Sequence, residues 1–60
     1  MTLKEIIKKY KTPVRVKCSQ IGYPPFTIIE SSEETAKVQY DDGHYGIVDL
    51  EIPLDDYEVC

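Results

Sequence analysis

The segment VQYDDGHYGIVDL, Val38–Leu50, decides the predicted fold of this 60-residue chain. Two short runs rich in β-branched and aromatic residues flank Asp41-Asp42-Gly43, and such runs are typical of β-strands. The glycine tolerates the positive φ that a tight hairpin turn needs. The segment therefore predicts a β-hairpin whose second strand covers about residues 44–50.

Strand signals recur on both sides of this hairpin. Val14, Val16 and Cys18 alternate with polar residues, which indicates a half-buried strand. Gly46 lies inside the second hairpin strand and marks either a sharp twist or a close approach to the backbone. The other strands are predicted from Val14 onward and over residues 26–30, 36–40 and 57–60, with a one-turn connector at residues 53–56.

The first eleven residues predict a short amphipathic helix. Thr2 followed by Glu5 is a capping-box pattern. Apolar residues then recur at one-turn spacing and predict a helix over residues 3–10: Leu3, Ile6, Ile7 and Tyr10. A helix of this length is not stable alone in water, so we expect its apolar face to dock on the strands rather than to lie on a membrane surface. Pro13 ends it, because the residue before a proline is disfavoured in helical conformation.

This order of elements resembles a Src-homology-3-like small barrel. The run FTIIESSEETAKVQYDDGHYGIVDLEIPLDDYEV, residues 26–59, resembles Tudor-type members, which share a V-x-Y/F-x-D-G hairpin. The resemblance covers residues 13–60 by pattern. It implies a mainly β fold: a five-stranded antiparallel barrel at residues 13–60 and a short N-terminal helix at residues 1–11, in one domain. Its expected core is Ile6, Ile7, Val14, Val16, Ile28, Val38, Val48, Ile52, Leu54 and Val59.

Four aromatic residues and two prolines form the predicted binding rim: Tyr23, Pro24, Pro25, Phe26, Tyr40 and Tyr45. The Tudor resemblance implies an aromatic cage for methylated lysine, but the chain has no tryptophan, the side chain that attracts cations best. The alternative is that these aromatics belong to the core and to ordinary surface. Asp41 and Asp42 in the hairpin turn add an acidic flank to the rim.

The charges are unevenly distributed along the sequence. Residues 1–17 contain six basic residues and one acid, whereas residues 18–60 contain one lysine and ten acids, for a net charge of −4. This asymmetry predicts an electrically bipolar molecule. A nucleic-acid patch is an alternative prediction: Lys4, Lys8, Lys11, Arg15 and Lys17. The acidic surface is expected to serve solubility, to attract a basic protein or to mimic nucleic acid.

No motif of enzyme chemistry is present. The two cysteines, Cys18 and Cys60, and His44 are too widely spaced for a zinc site, and no nucleophile with a base and no phosphate loop occurs. We therefore predict no catalytic residues, no metal and no cofactor. The cysteines are expected to be free thiols, with a disulfide between the first and last strands as the alternative, and His44 a solvated turn residue.

These features predict a non-catalytic module that binds another protein through the aromatic rim and its acidic flank. Nucleic-acid association, or inhibition of a nucleic-acid enzyme by acidic mimicry of the kind mobile elements encode, is the alternative. No apolar run approaches the roughly 18 residues that span a bilayer, so a cytoplasmic location without membrane contact is expected. Unpaired strand edges predict a weak homodimer.

Overall fold

The computed structural model describes all 60 residues and contains one helix and five strands. The fold is mainly β, as predicted, and every strand pair is antiparallel. The elements in chain order are helix α1 (Leu3–Lys9) and strands β1 (Val14–Cys18), β2 (Phe26–Ser31), β3 (Thr35–Tyr40), β4 (Tyr45–Asp49) and β5 (Tyr57–Val59).

The predicted capping box starts α1. The Glu5 backbone N–H donates to the Thr2 hydroxyl at 3.2 Å, and the Thr2 N–H donates to the Glu5 carboxylate at 3.1 Å. The hydrogen bonds that the Thr2 backbone N–H and the Thr2 hydroxyl make to the Glu5 carboxylate lower the pKa of Glu5, because both stabilise the charged form. Leu3 and Ile6 are buried in the core, so the helix docks on the sheet side as expected.

The five strands form one open sheet. Their order is β4-β3-β2-β1-β5, so β4 and β5 lie at opposite edges and do not pair with each other. The prediction of neighbouring first and last strands is confirmed by the β1–β5 pairing. The sheet is not closed into the predicted barrel, because nothing pairs with the outer side of β4.

The Asp41-Asp42-Gly43 turn forms the predicted hairpin. The Gly43 N–H donates to the Tyr40 carbonyl at 2.9 Å, and the Tyr40 N–H donates to the His44 carbonyl at 2.8 Å. Gly43 has φ +92°, in the left-handed region that a side chain disfavours. A glycine is therefore required at this position of the turn.

The core lies between the inner face of the sheet and α1. Five of the ten predicted core residues are buried and four more pack against them, but Ile52 is 54% exposed, so its predicted core position was wrong. The connector at residues 53–56 is also irregular rather than one helical turn. The buried core residues are Leu3, Ile6, Val14, Val16, Phe26, Ile28, Ala36, Val38, Leu50 and Tyr57; Ile7, Val48, Leu54 and Val59 pack against them partly buried.

Met1 holds the outer side of β5. Its ammonium group donates to the carbonyls of Asp55 at 3.0 Å and Tyr57 at 2.9 Å, and the Tyr57 N–H donates to the Met1 carbonyl at 3.1 Å. These bonds order the irregular segment before β5. They also cover part of the edge that β5 would otherwise present to solvent.

The two cysteines are free and do not face each other. The register places Cys18 opposite Tyr57, whereas the Cys60 N–H donates to the Arg15 carbonyl at 3.0 Å. Three strand residues separate these positions, a distance of about 10 Å, which is too far for a disulfide without backbone movement. The alternative of a bridge between facing cysteines was therefore wrong.

Candidate functional site

An open cavity of about 390 Å³ lies beside the unpaired edge of β4. We call it the aromatic groove and define it by six residues: Tyr23, Pro24, Phe26, Tyr40, Ile52 and Tyr57. Leu3 and Val48 complete its apolar lining, and Ile47 and Asp49 lie on its β4 side. The groove lies where an open sheet leaves inner-face side chains uncovered.

Phe26 forms the floor of the aromatic groove rather than its rim. The β1–β2–β3 register aligns Val16, Phe26 and Tyr40 in one row on the inner face. Phe26 is 4% exposed and makes edge-to-face contacts with Tyr40 at 5.8 Å and Tyr57 at 6.0 Å between ring centroids. Phe26 was predicted to lie in the binding rim, and this row places it at the floor of the groove instead.

Gly46 allows Tyr40 to line the groove. A Cβ atom at Gly46 would lie 2.9 Å from Cε2 of the Tyr40 ring, closer than side chains tolerate. The glycine therefore marks a close approach, one of the two alternatives that its position in a strand predicted. The ring of Tyr40 covers the bare backbone of β4 and stays half-buried.

Tyrosine hydroxyl groups gather at the groove. Burial raises the pKa of the Tyr57 phenol, and nearby Cys18, Tyr23 and Tyr40 add to that rise because ionised neighbours disfavour a second negative charge. Tyr23 belongs to the first loop and is 49% exposed, so it forms the outer wall. The site thus offers ring faces together with hydroxyl groups that can donate or accept hydrogen bonds.

Tyr45 lies on the opposite face of the sheet from the groove. It pairs with Gln39, one residue away from the inner-face pair of Val38 and Gly46, and alternation turns its side chain outward. Tyr45 is 62% exposed, and the Lys37 ammonium lies 5.2 Å from its ring centroid. The structure therefore brings Tyr23, Phe26 and Tyr40 together but leaves the fourth predicted aromatic outside the site.

The predicted acidic flank lies next to the groove. Asp41 and Asp42 line a second cavity of about 410 Å³ with Pro24, Pro25 and Tyr40, two of which also line the groove. Asp41 pairs with Arg15 at 2.6 Å. Asp42 lies 2.9 Å from Nδ1 of His44, and hydrogen bonds from the His44 backbone and ring lower the pKa of Asp42. Both acids thus already have partners.

The predicted basic patch is interrupted by acidic residues. Lys4 lies 2.9 Å from Glu51, Arg15 pairs with Asp41, and Lys17 lies 3.9 Å from Glu58. Three of its five members therefore have a carboxylate beside them, while Lys8 and Lys11 are exposed. These three pairs bring basic residues of the first seventeen positions next to acidic residues of the rest of the chain.

The sequence predicted Pro24 in the binding rim but missed Ile52 and Tyr57 as parts of the same apolar site. Tyr57 carried a usable signal, because it alternates with Val59 and so belongs to the inner face. Ile52 carried none, since its position depends on the irregular path between β4 and β5. No cluster of three or more histidine, cysteine or acidic side chains is arranged to hold a metal ion.

Comparisons with protein-family models, curated proteins and solved structures find no significant match to this chain. The one helix of the fold is too short and too polar to cross a bilayer.

Proposed function

We propose that this chain is a small non-catalytic interaction module that binds an extended segment of another protein in the aromatic groove. The observation that carries the proposal is the groove itself: a buried Phe26 floor with the exposed side chains of Tyr23 and Ile52 at its walls. Isolated exposed apolar residues are ordinary on protein surfaces, but a concave group of them is typical of binding sites.

An extended peptide suits this groove better than a compact ligand. The cavity opens to solvent, and its lining combines the first loop with β4 and the segment that leads to β5. Tyrosine and proline side chains lose little conformational entropy on binding, which favours contact with a flexible partner. Apolar or proline residues of the peptide would pack on the rings, and its polar backbone would meet the tyrosine hydroxyls.

The acidic flank favours a peptide with a basic residue beside its apolar anchor. Asp41 and Asp42 border the groove at Pro24. The chain carries a net charge of −4, which attracts a basic segment from solution. A basic residue of the peptide would compete with Arg15 for Asp41. Because this attraction is electrostatic, added salt should screen it and weaken binding of the peptide.

We also propose that the fold is an open member of the Src-homology-3-like or Tudor-type small barrels. The order of the helix and five strands, the long first loop and the Asp-Asp-Gly hairpin support it. In such a fold the first loop and the middle strands border the binding surface, which fits the position of Tyr23 beside Tyr40. Where β4 and β5 stay apart, the groove occupies the gap.

Alanine variants with matched controls test the proposed groove. Short peptides that combine proline or aromatic anchors with a basic residue are titrated against each variant by fluorescence anisotropy. Tyr23→Ala and Ile52→Ala should each weaken binding about tenfold, since each removes about 1–2 kcal/mol of apolar contact. Tyr45→Ala and Ile21→Ala remove exposed side chains outside the groove and should leave affinity unchanged. Equal losses in all four variants would reject the groove as the site.

Association with nucleic acid is a second proposal, supported by the exposed lysines of α1 and the following loop. Lys8, Lys9 and Lys11 have no carboxylate within ion-pair distance, so their charges are available. The double variant Lys8→Gln/Lys11→Gln should then reduce affinity for a DNA or RNA duplex at low salt. If neither duplex shows salt-sensitive binding, association with nucleic acid is rejected, and peptide binding and acidic mimicry of nucleic acid are the two remaining functions. Competition with DNA for a basic protein then distinguishes these two.

A further inference from the structure

Strand β4 has a free edge. At its two ends the Tyr40 N–H donates to the His44 carbonyl and the Leu50 N–H donates to the Glu34 carbonyl, both at 2.8 Å. Backbone groups alternate along an antiparallel strand, so residues 44, 46, 48 and 50 face β3. Tyr45, Ile47 and Asp49 therefore direct their N–H and C=O groups away from the sheet.

This edge lacks the features that usually protect a strand from pairing. It contains no proline, no lysine and no bulge, and its register with β3 is continuous from residue 45 to residue 49. Ile47 is 69% exposed and Tyr45 is 62% exposed, side by side on the outer face. The opposite edge differs, because Met1 already bonds to Tyr57 there.

We propose that β4 pairs with β4 of a second copy of this chain, antiparallel and about a two-fold axis at Ile47. The position of the axis follows from the backbone N–H and C=O groups that point away from β3. Only in this register do residues 45, 47 and 49 of one copy all lie opposite residues of the other copy whose N–H and C=O groups also point outward. It supplies about six backbone hydrogen bonds, and registers shifted by two residues supply fewer. Ile47 then faces its own copy, which buries two exposed apolar side chains.

The charges along the edge fit a second copy. In this register Tyr45 lies opposite Asp49 of the second copy, and the Lys37 ammonium already lies 5.2 Å from the Tyr45 ring centroid. Lys37 of each copy is thus beside the carboxylate of the other, so two opposite-charge pairs form. Glu51, near one end of the paired strands, is compensated within the chain by Lys4.

The dimer is expected to be weak. Two five-residue strands joined edge to edge bury less than about 1,000 Å², the size range of transient complexes. A net charge of −4 on each copy opposes association. We expect a dissociation constant of about 0.1–1 mM, so the dimer is populated at high concentration or where two copies are held close together.

Amide hydrogen exchange of the unmodified chain tests the pairing without any variant. The N–H groups of Tyr45, Ile47 and Asp49 have no acceptor on β3 in one copy, so they should exchange rapidly in dilute solution. At a total chain concentration about tenfold above the expected dissociation constant, their exchange should slow about fivefold, because about four-fifths of the chains are then in the dimer. Sedimentation should show the dimer over the same range. Unchanged exchange at these three amides, with or without a dimer, would overturn the proposal.

Two substitutions with matched controls identify the interface. Ile47→Lys places two ammonium groups face to face and should weaken the dimer at least about tenfold, whereas Ile21→Lys adds the same charge at a fully exposed loop position and should not. Asp49→Asn keeps an acceptor for the Glu51 N–H and should weaken the dimer about threefold at low salt. Glu33→Gln makes the same change of net charge away from the edge and should not weaken it. A dimer that withstands both edge variants would refute the β4 interface.

Discussion

Replacing Phe26 with leucine should destabilise the whole fold rather than only the binding site. Phe26 is 4% exposed and contacts Tyr40 and Tyr57 edge to face at 5.8 Å and 6.0 Å. Leucine retains most of the buried apolar area but removes two aromatic pairs, each contributing about 0.5–1.5 kcal/mol. We therefore expect the free energy of unfolding to fall by about 1–3 kcal/mol. A 60-residue domain has roughly 3–9 kcal/mol in total, so this is a large fraction.

Urea unfolding followed by far-ultraviolet circular dichroism measures this loss. A domain of this size loses about 4–8 °C in Tm for each kcal/mol, so thermal unfolding should show a fall of roughly 5–20 °C. Tyr23→Leu is the matched control, since Tyr23 is 49% exposed, and its unfolding free energy should change by less than about 0.5 kcal/mol. A Phe26→Leu variant that is as stable as the parent chain would refute the assignment of Phe26 to the floor of the groove.

Three further variants test local features. Thr2→Ala removes the hydroxyl of the capping box and should lower stability to thermal unfolding by about 1 kcal/mol. Gly43→Ala has open space around the new methyl group, so its loss of about 1–2 kcal/mol in urea unfolding should come from φ +92° alone. Burial raises the pKa of Tyr57 in the folded chain, so as pH rises its phenol ionises earlier in the unfolded chain than in the folded one. The contribution of the neutral phenol to the free energy of unfolding is therefore complete below the ordinary pKa of 10.0 and falls as pH rises above it. Tyr57→Phe should flatten that alkaline fall in a series of unfolding curves.

Local sequence signals predicted the secondary structure of this chain well. The Thr2 and Glu5 pair predicted the helix start, the alternation of Val14 and Val16 predicted β1, and Asp41-Asp42-Gly43 predicted the hairpin turn. Each signal depends on residues within a few positions of each other. Backbone sterics and nearby hydrogen bonds are therefore enough to produce these elements.

Local sequence signals could not predict whether each aromatic side chain is buried or exposed. Phe26 and Tyr23 lie three residues apart in the first loop region, but only the pairing of β2 with β1 and β3 decides which of them is buried. Ile52 depends on how residues 50–56 cross from β4 to β5. Closure of the barrel likewise depends on whether the edges of β4 and β5 meet, which no local pattern specifies.

Chemical-shift mapping of a bound peptide tests the proposed groove most directly. An isotopically labelled chain is titrated to saturation with the tightest peptide of the anisotropy series, and its backbone and tyrosine side-chain resonances are followed. The largest shifts are expected at Tyr23, Tyr40, Ile52 and Tyr57, with little change at Ile21 on the first loop. Shifts concentrated on the lysines of α1 instead, with the tyrosines of the groove unmoved, would contradict the proposed groove.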